Sequence, residues 1–160
     1  MRLYETSVRK LLISEIENLD PISVYLEDFS KGKGRIVIEC FGKSWAAYWG
    51  AMGEDTIAQF FCSCDEHYLA KNLASRLNDY VPDIDKIKND AAAYGVDCWR
   101  DDPWNDYGFM SQMYGPDMVD WSDLIPKKVN PEYRHLCRII NAVKEGLEQY
   151  NKGEVDHADA

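Results

Sequence analysis

The sequence predicts an α+β fold: an antiparallel meander of three to four strands in the N-terminal part, followed by helices packed on one of its faces. Two patterns carry this. Two runs, residues 22–27 and 36–41, alternate side chains with period two, the mark of half-buried strands. In residues 69–77, 84–91 and 133–150 the apolar positions recur every three or four residues, the helical spacing. Size is the third observation: 160 residues, 46% hydrophobic and 12% aromatic, suffice for one domain with its own core, placed at 1–153 with a flexible tail at 154–160.

The first strand is read in "SVRKLLISEI" (7–16), where adjacent apolar residues blur the period. The next two are plainer. Ile22, Val24 and Leu26 alternate with Ser23, Tyr25 and Glu27, and Ile36, Ile38 and Cys40 alternate with Val37, Glu39 and Phe41. Between them "SKGKG" supplies glycines able to take positive φ, so the pair reads as a hairpin. "KSWAAYWGAMG" continues the sheet, with Trp45 and Trp49 on one side, and "TIAQFFCS", with Ile57, Phe60 and Phe61, is read as a further strand.

The ten residues "FFCSCDEHYL" (60–69) then turn a corner. Ser63 followed by Glu66 matches a capping box, and Asp65 and Glu66 stand where a helix dipole favours negative charge. Leu69, Leu73 and Leu77, with Ala70 and Ala74, form the apolar stripe of the helix that follows. A second helix is expected from Pro82 and Asp83 to Tyr94, with Ile84, Ile87 and Ala91 inward and Gly95 as its stop. The stretch 97–126 carries turn signals and no sustained period, and is expected to be irregular. Asn130 and Pro131 open a long helix whose face is Tyr133, Leu136, Cys137, Ile140, Val143, Leu147 and Tyr150, ended by Gly153.

Charge and cysteine usage restrict the function. The net charge is −10, and the imbalance is local: residues 1–50 hold seven basic and seven acidic side chains, residues 51–160 eleven and twenty-one. Such a surface repels phosphate backbones and attracts basic proteins, so direct nucleic-acid binding is not expected. Five scattered cysteines suit reduced thiols rather than a disulfide framework. No stretch approaches the ~20 apolar residues of a membrane span, so a cytoplasmic protein without membrane contact is expected.

No motif supplies a complete reaction centre. Cys62, Cys64 and His67 suggest a zinc or thiol site, but paired cysteine spacing with a second pair is missing. No metal, cofactor or catalytic residue is therefore expected. "GKGR" lacks the phosphate-loop pattern. The rings Trp45, Tyr48, Trp49, Phe60 and Phe61 beside Lys31, Lys33, Arg35 and Lys43, with only Glu39 opposing these cations, raise single-strand nucleic-acid binding; the competing reading is that the rings fill the core.

Residues 97–123 resist a bland account. They hold seven Asp, one Arg and no Lys, among Trp, Tyr, Phe and Met side chains. Aromatics supply anchor area and Met adapts to shape. Trp99, Asp101, Asp102, Trp104, Asp106, Tyr107, Asp117, Asp120 and Trp121 are the candidate partner-binding residues; the alternative is that the rings pack the loop and the aspartates cap turns.

The stretch from Asp20 to Leu77, including "VYLEDFSKGKGRIVIECFGKSWAAYWGAMG" and "FFCSCDEHYLAKNLASRL", resembles a group of small proteins encoded by tailed phages and prophages. The resemblance brings no motif of known chemistry. It implies expression in a bacterial cytoplasm, where small acidic phage proteins act on host machinery or defences. The reading is a non-catalytic acidic binding module directed at a host protein with a basic surface, whose nucleic-acid site it would occupy as a DNA mimic. Beside it stand a single-stranded nucleic-acid accessory protein and a zinc or thiol enzyme centred on Cys62, Cys64 and His67.

Overall fold

In the computed structural model, which describes residues 1–116 and 120–154, the alternating segments become a four-stranded antiparallel sheet. Its strands are β1 (Arg9–Ile13), β2 (Ile22–Ser30), β3 (Lys33–Cys40) and β4 (Lys43–Trp49), neighbours in space in that order. Register follows from the apolar pattern: Leu11, Val24, Ile38 and Trp45 lie in one cross-strand row. A slip of one residue would turn every one of these side chains to the other face. The expected tail at 154–160 lies, after Glu154, outside the described residues.

Two tight turns join the last three strands. Gly32 takes φ +68° between β2 and β3, and its carbonyl accepts from Met52 N at 2.8 Å. Phe41 and Gly42 between β3 and β4 both have positive φ, 46° and 74°, the combination of a type I′ turn.

By internal contacts the chain forms two compact units, residues 1–77 with 132 onward, and residues 78–131. In the first, helices α1 (Ile57–Ser63), α2 (Glu66–Leu73) and α5 (Pro131–Lys152) contribute to the same core as the sheet. Ile22, Val24, Ile36 and Ile38 from the strands are fully buried, as are Ile57, Phe61, Leu69, Ile139, Ile140 and Leu147 from the helices. Each such side chain contributes about 1.5–3 kcal/mol by leaving water. Trp49 is buried, Trp45 and Phe60 pack partly against the core, and Tyr48 alone of the five rings is exposed.

"TIAQFFCS" is a helix and not a strand. The capping box lies here, seven residues before its expected place: Gln59 N donates to Thr56 Oγ1 at 3.3 Å, and the Gln59 side chain accepts from Thr56 N at 3.0 Å. A carboxylate from β2, Asp28, accepts from Ile57 N at 2.8 Å, satisfying another free amide of the first turn. The corner 60–69 therefore joins two helices. Ser63 donates to Phe60 O, Asp65 caps α2 by accepting from Tyr68 N, and Glu66 accepts from Asn141.

The second unit contains the two-stranded ribbon β5 (Tyr80–Pro82) and β6 (Lys127–Val129), together with α3 (Ile84–Ala93) and α4 (Tyr107–Tyr114). Asp83 caps α3 through Lys86 N, Gly95 follows it at φ +70°, and Ile87 and Ala91 are buried as expected. The stretch read as irregular holds a turn of 3-10 helix at Pro103–Asn105 and then α4. Asp106 caps α4 by accepting from Phe109 N at 3.1 Å, and Gly115 ends it at φ +96°. Gly108 looks like a breaker in the sequence, but it lies in the first turn, where its lack of a side chain costs little.

Candidate protein-binding surface

Every acid in residues 78–131 is an aspartate: eleven Asp and no Glu, against five Lys or Arg. A short carboxylate can cap a turn or face solvent, and both uses occur. Asp102 accepts from Arg100 Nε at 3.1 Å and from Asn105 Nδ2 at 3.3 Å. These partners, the guanidinium first, hold its carboxyl below the ordinary carboxylate value. Asp120 accepts from Ser122 N at 2.8 Å, which lowers its pKa in the same way. Asp106 caps α4. Asp101 lies 3.3 Å from Lys88 Nζ while its side chain stays 94% exposed.

The rings divide more sharply. Trp99 is 80% exposed, with the Arg100 guanidinium 5.6 Å from its ring centre. Tyr107 is 64% exposed and meets Trp121 edge to face at 5.4 Å. Trp104 and Trp121 instead pack against the core formed by Ile87, Ala91, Phe109 and Met110, and Trp121 Nε1 is buried with no acceptor among the described residues. Asp117 lies outside the described residues. Contacts thus link Trp99, Arg100, Asp102 and Asn105 in one chain, and α4 carries Tyr107 onto Trp121.

Exposed groups outside the expected set extend this surface chemistry. Asp97 and Asp123 face solvent, as do Tyr94 and Leu124. Tyr94 continues the Ile84, Ile87, Ala91 stripe by spacing, yet it is the C-cap of α3, where the helical direction ends and the ring turns out. The aspartates carried a readable signal, since they belong to the same acidic run.

The hairpin cations are not opposed by Glu39, which instead accepts from Tyr25 at 2.9 Å. Lys31 pairs with Glu54, Arg35 with Glu27 and Lys43 with Glu132. Three of the four cations are therefore partly neutralised: Arg35 by its cross-strand neighbour in the hairpin, and Lys31 and Lys43 by acids outside it.

Around the helix corner the thiols are held protonated. Burial, then the charge of Glu148, raises the Cys62 pKa; burial also raises that of Cys64. Cys137 is pushed up to about 11, first by burial and then by its hydrogen bond to the Glu66 carboxylate. His67 Nδ1 meets Tyr133 OH at 3.0 Å. Nucleophilic and metal-binding cysteines need the thiolate, and these surroundings favour the neutral thiol. Among the described residues, no group of three or more His, Cys, Asp or Glu side chains is placed to hold a metal ion.

The Cys137 shift has a consequence for stability. A thiol whose folded pKa lies above its ordinary 9.0 favours the folded state fully below pH 9, and that contribution is lost as pH rises through about 11. Chemical denaturation at stepped pH is expected to show up to about 3 kcal/mol lost over that window. Cys137→Ala is expected to flatten the curve, with a residual slope from the other buried thiols. An unchanged slope in the variant would show that Cys137 does not titrate in this way.

Among the described residues no helix is long and apolar enough to cross a membrane. No curated protein and no solved structure matches the chain. A phage family matches it over residues 1–149, nearly its whole length, and the chain belongs to that phage family.

Proposed function

We propose that this phage protein is a non-catalytic binding module of the bacterial cytoplasm, whose acidic 78–131 unit captures a host protein that carries a basic surface. The observation that supports this most is Trp99: a large ring left 80% exposed within a segment of exposed aspartates. An exposed indole is costly to leave in water, and Trp is among the residues enriched at interface anchor positions. Asp97, Asp101 and Asp123 supply negative charge that speeds encounter with a basic partner and selects against acidic ones. Where that partner normally grips nucleic acid, the carboxylates occupy its phosphate sites, and the module modulates or inhibits it as a DNA mimic.

The test separates anchor from field. Immobilised full-length protein is used to capture proteins from host lysate, which are identified by mass spectrometry. Trp99→Ala is expected to weaken capture of the specific partner about tenfold or more at all salt concentrations. Asp97→Asn with Asp101→Asn is expected to weaken it mainly at low salt and to reduce its salt dependence. An identical captured set for wild type and both variants would overturn the reading.

A further inference from the structure

The sheet has two edges, and they are protected differently. β1 is five residues long and carries Arg9 and Lys10, a charged edge of the kind that resists pairing with another chain. β4 has seven residues, no proline and one charge, Lys43, at its extreme end. Its register with β3 is regular throughout, the sheet's irregularity lying between Asp28 and Ser30 in β2.

The two-residue turn at Phe41 and Gly42 sets which backbone groups of β4 are used. Cys40 and Lys43 flank the turn as a hydrogen-bonded pair, so alternate residues 43, 45, 47 and 49 bond to β3. The N–H and C=O groups of Ser44, Ala46 and Tyr48 then point away from the sheet. Among the described residues these groups have no backbone partner. Trp45 beside them is only partly buried, although it lies on the core face.

We propose that β4 pairs antiparallel with β4 of a second copy, with the two-fold axis at Ala46. The strand is self-complementary about that point, which is its midpoint. Ser44 lies opposite the partner's Tyr48, Ala46 opposite the partner's Ala46, and Trp45 opposite the partner's Ala47, large beside small. Lys43 lies opposite the partner's Trp49, so the only charge on the strand meets a ring and not its own kind. The pairing gives an isologous interface with about six interchain backbone hydrogen bonds, a continuous eight-stranded sheet, and cover for the exposed part of Trp45.

Sedimentation equilibrium of the full chain at micromolar concentration is expected to show a species of twice the 18.5 kDa chain mass. Ala46→Pro removes an N–H that the monomer does not use, and edge strands tolerate it. Association is expected to fall roughly tenfold or more with an unchanged circular dichroism spectrum. If that variant fails to fold, Ala46→Lys serves in its place: two ammonium groups meet on the axis, so the dimer weakens at low salt and recovers at high salt. Mixing Ala46→Lys with Ala46→Glu is expected to restore association by pairing opposite charges. A monomer at every concentration, or a dimer indifferent to these substitutions, would overturn the proposal.

Discussion

Replacing Phe61 by alanine is expected to lower the unfolding free energy by about 3–5 kcal/mol, the range for truncating a buried aromatic ring. Phe61 is fully buried, and its ring meets Trp49 edge to face with centroids 6.4 Å apart. The change removes the largest side chain that α1 sends into the core and leaves a void beneath the sheet. Phe60→Ala, one position along and only partly buried, is expected to cost clearly less. Urea denaturation of the two variants checks both values. Equal losses would mean that Phe61 is not the more deeply packed of the two rings in solution.

The second large effect is expected at Gly32. Its φ of +68° lies in the left-handed region, and a Cβ built there would stand 2.4 Å from the carbonyl oxygen of Gly53. That neighbour is backbone and has no rotamer by which to withdraw. Gly32→Ala therefore combines the left-handed penalty with overpacking, on the order of 2–4 kcal/mol together. Gly42→Ala is the matching control: φ is +74° but nothing lies within 4 Å of the added carbon, so only the conformational cost of about 1–2 kcal/mol applies. Thermal unfolding of both variants separates strain from collision, and equal destabilisation would show that the contact with Gly53 is not made in solution.

These two sites mark the limit of what local pattern conveys. β2, β3 and α5 were legible because alternation and helical spacing each persist for eight or more residues. Over such lengths only one backbone geometry buries all the apolar side chains. α1 was not, because seven residues rich in aromatic and branched side chains fit either geometry. Thr56 and Gln59 did match the capping pattern, but Ser63 and Glu66 matched it equally well. Asp28, 29 residues earlier, helps the first pair by accepting from Ile57 N. Glu66 is engaged by Asn141 from α5, a partner no window around residue 66 contains.

The acidic segment divides in the same way. Its composition marked 97–123 as unusual, and exposed Trp99, Asp101 and Tyr107 lie within it. Composition could not say that Asp106 caps a helix, that Asp102 is tied to Arg100 and Asn105, or that Trp104 and Trp121 turn toward a core.

Residue order alone was enough for the meander, the terminal helix and the place of the acidic run, since each depends on periodicity or charge counted along a short stretch. Tertiary structure decided the helix at 57–63, the partners of Lys31 and Lys43, the protonated state favoured for the thiols and the exposure of individual rings. The physical reason is common to all four. Each depends on which groups from distant parts of the chain come within hydrogen-bonding or packing distance, and sequence neighbours do not determine that.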